Sequence, residues 1–127
     1  MLETERVSFI FADARELYDD ALEMLAQNRL RNAADKAWGA TKRATDALIL
    51  ARTGEEPRTS GQTARLLRQL RGGDPSLEHL RLRYGARQYF LHGRAFYDGV
   101  LEPAEDIIRD VRETIDYIRD AEQMAAV

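Results

Sequence analysis

Apolar residues recur every three or four positions along almost the whole of this 127-residue chain, and nowhere do they alternate with period two over a useful length. That pattern restricts the chain to helices packed on helices and gives a sheet nothing to build on. From Thr4 to about Gln27 the stripe is Val7, Ile10, Phe11, Ala14, Leu17, Tyr18, Ala21, Leu22 and Leu25. From Leu30 to Arg52 it is Leu30, Ala34, Ala37, Trp38, Thr41, Ala44, Leu48 and Ala51, an alanine-rich face suited to close approach by a neighbour. Gly54, followed by Pro57, marks a stop.

The remaining boundaries are punctuated by caps. Thr59 with Gln62 reads as a capping box opening a third helix, with Leu66, Leu67 and Leu70 inward and Gly72-Gly73 at its end. Asp74-Pro75 is a cap followed by a first-turn proline, and starts a fourth helix carrying Leu77, Leu80, Tyr84 and Leu91. That helix is expected to stop near His92, with Gly93 as a left-handed cap and a linker holding Arg94, Phe96, Tyr97 and Gly99. Pro103 opens a last helix striped by Ile107, Ile108, Val111, Ile115 and Ile118. The expectation is an all-α fold: an antiparallel four-to-five-helix bundle formed as a single domain over residues 1–127. Trp38 lies on an apolar stripe and reads as core, not as a base-binding platform.

Composition narrows the chemistry. There are no cysteines, which removes disulfides, thiolate metal sites and cysteine nucleophiles. No apolar run is long enough to span a membrane. The start, Met1-Leu2-Glu3-Thr4-Glu5, is acidic and lacks a leader pattern, so the expected location is cytoplasmic with no membrane partner. Net charge is −3, yet Pro57–Arg94 holds eight arginines against Asp74 and Glu78, a balance of +6 that leaves −9 to the flanks. A local anion site is one reading of that asymmetry, and a solvated helix face is the other.

Metal and cofactor chemistry finds no residues to use. The only imidazoles, His79 and His92, have no carboxylate at ligand spacing, and Glu-x-x-His is absent. Glu105, Asp106, Asp110, Glu113 and Asp116 read as a solvated face opposite the isoleucines. Phosphate-loop and nucleophile-elbow motifs are missing, so neither metal nor cofactor is expected.

What remains is Arg87-Gln88-Tyr89-Phe90-Leu91-His92. An imidazole moves protons near neutral pH, and a guanidinium holds a phosphate bidentately. Together they could cleave a phosphodiester without metal. On an ideal α-helix a spacing of five sets the two side chains about 140° apart. Convergence therefore requires the helix to end near Leu91, or a second subunit to bring its own pair alongside. The alternative is that His92 caps the carbonyl end of its helix and Arg87 is a surface arginine.

The order of helices, the late Arg-x4-His string, Asn32–Ala40 on the second helix and Leu91-His92 with Phe96-Tyr97-Asp98-Gly99 together resemble the HEPN superfamily, closest to its PaREP-type branch. The resemblance implies a metal-independent, toxin-like endoribonuclease acting at a homodimer cleft. His92 would be general acid or base, and Arg87 would stabilise the transition state. Gln88, Arg83, Arg94 and Tyr97 would contact substrate, with arginines 65, 68 and 71 as further backbone guides. The other form it implies is a non-catalytic module that binds RNA, a nucleotide or a nucleotidyltransferase-type antitoxin. Two positions depart from active members: Gln88 stands where a small polar residue often follows the arginine, and Arg94 where the toxin subgroup often has tyrosine.

Overall fold

The computed structural model describes residues 3–126; Met1, Leu2 and Val127, included above in the acidic start and in the domain span, lie outside them. Helices α1 (Glu3–Ala26) and α2 (Leu30–Thr53) form a hairpin. Their short connection turns at Asn28, which adopts φ 60°, a left-handed conformation that asparagine tolerates better than most residues. Among the described residues there is no strand, and the bundle is all-helical as its periodicity requires.

Helix α2 is the axis of the fold. Its residues Ala44 to Leu50 are buried without interruption, so this stretch is surrounded rather than one-sided. Every other long element touches it. The small side chains of Ala33, Ala34, Ala37, Ala40, Ala44 and Ala47 let those neighbours come close. Gly54 ends α2 at φ 78°, its N–H bonded to the Leu50 carbonyl, as its position in the sequence predicts.

Helix α3 (Ser60–Gly73) begins at Thr59, whose hydroxyl accepts from the Gln62 N–H at 3.1 Å. The Gln62 side chain reaches back to the Arg58 N–H at 2.8 Å, one residue earlier than the usual reciprocal bond. Asp74 then caps a single 3₁₀ turn, Pro75–Leu77, accepting from Ser76 N–H and Oγ. Helix α4 (Glu78–Arg87) follows without a break.

The fourth helix does not end near His92. It continues from α4 into a ten-residue π-helix, Gln88–Tyr97. Gly93 has no left-handed φ; Gly99, at φ 70°, terminates the segment instead. The expected linker residues Arg94, Phe96 and Tyr97 are therefore helical. Two buried residues, Leu91 and Ala95, hold this segment against the bundle.

The last helix also differs from expectation. It is divided at Glu113 into α5 (Ala104–Arg112) and α6 (Thr114–Ala125). Its inward stripe nonetheless carries across the break as Ile107, Val111, Thr114, Ile118 and Ala121. Ile108 and Ile115 are only half-buried, and Tyr117 takes a fully buried place that the isoleucine pattern did not reveal.

Because α2 is enclosed, its core residues have little room to relax. Leu48→Ala is expected to lower unfolding free energy by about 3 kcal/mol in urea titration. A loss below about 1 kcal/mol would mean that α2 is not the packed axis.

Candidate functional site

The π-helix changes the geometry of the Arg-x4-His string. Hydrogen bonds closing at i→i+5 wind the backbone wider than an α-helix, so positions five apart come to the same side instead of well apart. Arg87 stands at the N-terminal boundary of the segment and His92 lies in its middle. Both side chains consequently face α2, where Arg87 meets Thr41 and His92 meets Trp38, one turn apart. A helix stop is not what aligns them.

Arg87 is tied into the bundle. Its Nε donates to Thr41 Oγ1 at 3.0 Å, and Nη2 donates to the Asp110 carbonyl at 2.9 Å and to Thr114 Oγ1. The guanidinium also lies 5.9 Å from the centre of the Tyr117 ring. Among the described residues no carboxylate forms an ion pair with it. Burial lowers its pKa below the ordinary arginine value, with Tyr117 and Asp110 opposing that shift. Nη1 makes no hydrogen bond among the described residues. Arg87 also borders a cavity of about 60 Å³ shared with Ala86, Phe90, Leu91 and Asp110.

His92 is held by rings rather than by hydrogen bonds. Trp38 stacks on it at 5.6 Å and 30°, Phe96 lies nearly parallel at 6.3 Å, and Tyr97 tilts toward it at 6.4 Å. Nδ1 is buried without a hydrogen-bond partner. A proton-transferring imidazole is usually oriented through its second nitrogen. No described residue performs that service here. Nor is His92 a helix C-cap, since the helix runs on for five more residues.

The other proposed contact residues are dispersed. Arg83 pairs with Asp120 at 2.5 Å and lies over Tyr117, so it is committed internally. Arg94 is exposed without an ion pair among the described residues, on a second cavity of about 220 Å³ with Glu102, Asp106 and Asp110. Tyr97 is 73% exposed, and Tyr89 and Phe90 form an exposed edge-to-face pair nearby. Gln88 is half-buried, and its side chain makes no hydrogen bond among the described residues. Of the arginines on α3, Arg71 pairs with Glu78, while Arg65 and Arg68 are exposed and unpaired among those residues.

Several contributors left little trace in the sequence. Arg31 donates to the Phe96 and Tyr97 carbonyls and lies over the Phe96 ring, closing the end of the π-helix. With Phe96, His92, Trp38 and Tyr84 it forms a continuous stack along α2. Thr41 sits on the apolar stripe, the one hint that the stripe carries a hydroxyl; Thr45, which the stripe does not include, is buried as well. Thr45 shares a 2.6 Å hydrogen bond with the fully buried Tyr117, whose pKa burial raises strongly.

Asp110 departs from the solvated face expected of the last-helix carboxylates, and Asp46 on α2, outside that expectation, is buried outright. Asp110 is half-buried behind Arg87, and desolvation raises its pKa. Asp46 is buried, accepting from Thr63 Oγ1 at 2.6 Å and Lys42 Nζ at 2.7 Å; desolvation raises its pKa despite those partners. Among the described residues no group of three or more histidines and carboxylates could hold a metal, and no helix is long and apolar enough to cross a membrane.

A model of the Archaeal PaREP1/PaREP8 family matches residues 10–121, nearly the whole chain. No curated protein matches it. No solved structure matches it either.

Removing the internal contacts of Arg87 should be costly: Arg87→Ala is expected to reduce stability by about 2–3 kcal/mol in urea unfolding. A change within about 0.5 kcal/mol would show that the guanidinium is not structural. Asp46 supplies a pH test. A carboxyl whose folded pKa is raised contributes stability below its unfolded pKa and loses that contribution as pH rises through the folded value. The wild-type minus Asp46→Asn difference in unfolding free energy should therefore fall as pH rises above the ordinary carboxylate value. Parallel pH profiles would remove the desolvation argument.

Proposed function

The chain belongs to the archaeal PaREP1/PaREP8 family, and on that premise we propose that it is a HEPN-like helical module that binds RNA or a nucleotide and does not cleave as a lone protomer. The observation that carries this reading is the internal use of Arg87. Three of its guanidinium N–H groups already meet Thr41, Thr114 and the Asp110 carbonyl. Stabilising a phosphorane-like transition state would draw on a group that ties α2 to α5 and α6. His92 adds to the case, because its Nδ1 is buried without a partner to orient the ring for proton transfer. The motif thus acts as scaffold, and binding falls to exposed groups such as Arg94 and Tyr97, with the half-buried Gln88 at the start of the same π-helix and Arg83 held back by Asp120.

A second reading is favoured by one observation: the π-helix turns Arg87 and His92 toward the same helix. In that reading two protomers meet across Tyr89, Phe90 and Tyr97, and the paired motifs form a metal-independent endoribonuclease with Arg87 and His92 as its catalytic residues. A nucleotidyltransferase-type antitoxin would then be a suitable partner, and the cytoplasm a suitable location.

An RNA cleavage assay in EDTA, with end-group analysis on wild type and His92→Ala, separates the two. The scaffold reading expects no cleavage by either protein. His92→Ala should instead change Trp38 fluorescence and cost about 1 kcal/mol of stability through the lost stack. Cleavage leaving a 2′,3′-cyclic phosphate, abolished in a folded His92→Ala protein, would establish the nuclease instead.

A further inference from the structure

Two cavities lie between the π-helix and α5, and they share Phe90, Leu91 and Asp110. The larger, about 220 Å³, has the buried Leu91 and Ile107 as its floor and the exposed Arg94 and Glu102 on its rim. The smaller, about 60 Å³, is bounded by Ala86 and Arg87. The shared residues make the two cavities parts of one groove.

Asp110 is the polar centre of that groove. Arg87 and Thr114 both donate to its backbone carbonyl, but its carboxylate has no hydrogen bond or ion pair among the described residues. Partial burial has already cost this carboxylate hydration, in keeping with its raised pKa. Such a group gains most from paired N–H donors. Of the other two groove carboxylates, Asp106 pairs with Arg109 at 3.1 Å and Glu102 is exposed.

Two cations border the same groove. Arg94 has no ion pair among the described residues, and Arg87 keeps Nη1 without a hydrogen bond there. A purely cationic occupant would satisfy Asp110 but meet both arginines with like charge. A simple anion would suit Arg94 and be repelled by Asp110. The groove therefore calls for a molecule with N–H donors and an acceptor at one end and an anion at the other. Nucleotides have that form, and their bases differ in the edge they offer. Guanine alone sets two donor positions, N1 and N2, side by side next to a carbonyl, O6. Adenine, cytosine and uracil each present a single donor position on the same edge. Phe90 lines both cavities and is 48% exposed, so its ring is open to stacking. Tyr89 meets that ring edge-on at 4.9 Å.

We propose that this groove takes the guanine base of a ribonucleotide: the Asp110 carboxylate accepts from N1–H and N2–H, Arg87 Nη1 donates to O6, Phe90 stacks on the base and Arg94 meets the phosphate. The assignment rests on the reading of the chain as an RNA- or nucleotide-binding module, and it makes Asp110 the residue that selects the base. A free guanosine monophosphate and a guanosine within RNA present the same edge and the same phosphate.

The test is calorimetric titration at low salt with guanosine, inosine, adenosine and uridine 5′-monophosphates. Beside it runs fluorescence anisotropy of labelled oligouridine that is plain or carries one central guanosine or inosine. Guanosine should bind about tenfold or more tighter than inosine, which lacks only the N2 amino group. Asp110→Asn should erase that preference without changing the thermal melt, because the backbone carbonyl that Arg87 engages remains. Asp116→Asn, which removes the same charge from the exposed surface of α6, should bind as wild type does. A guanosine preference among the monophosphates identifies free nucleotide as the occupant, and one confined to the oligonucleotides identifies RNA; either supports the proposal. Binding with no guanosine preference, or a preference that survives in Asp110→Asn, would overturn it and leave the functional reading intact. The inosine comparison needs no variant, so it decides even where Asp110→Asn fails to fold. Wild-type protein that binds no nucleotide and no RNA would overturn both.

Discussion

The guanidinium of Arg87 joins parts of the bundle that packing alone would not fix. It leaves the end of α4, reaches Thr41 on α2, and takes hold of the Asp110 carbonyl and the Thr114 hydroxyl on either side of the α5–α6 break. Burying a cation is unfavourable unless its donors are satisfied, and these oxygens satisfy most of them. The break at Glu113 falls just after the carbonyl that Arg87 and Thr114 both engage. A side chain drawn into a helical ladder is a recognised cause of such an interruption. One side chain thus ties the end of α4, at the entry to the π-helix, to α2 and to both sides of the break before α6.

The π-helix is the second consequence of this arrangement. Arg87 fixes its start, Arg31 holds its last carbonyls, and Trp38 and Phe96 sandwich His92 between them. These contacts come from α2 and from the segment itself, so α2 acts as a template against which the wider winding is stabilised. The same template turns the two motif residues inward. A string that looks catalytic on paper is therefore also a structural connector, and its chemical use depends on whether a second protomer completes it.

Charge is organised by the same separation of roles. Acidic residues of α1 face outward, several arginines of the middle segment are neutralised in place, and those left exposed without a carboxylate among the described residues are Arg58 before α3, Arg65 and Arg68 on α3, and Arg94 on the π-helix. A net charge of −3 describes none of these surfaces. What matters for an approaching ligand is which guanidinium groups are left without carboxylates after folding, and ion pairs such as Arg83–Asp120 bridge residues far apart in the chain.

Periodicity by itself determined the all-helical class, the hairpin of α1 and α2, the core role of Trp38 and the caps at Gly54, Thr59 and Asp74, because each depends on residues a few positions apart. The affiliation was legible for a similar reason, since the order of helices and the position of the Arg-x4-His string are properties of the linear chain. Tertiary structure alone decided that the fourth helix runs past His92, that the last helix breaks at Glu113, that Asp46 is buried, and that Arg87 and Asp110 are half-buried. An α-helical and a π-helical turn differ by one residue in their hydrogen bonds, a difference small enough locally that contacts with Thr41, Trp38 and Arg31, distant in sequence, select between them.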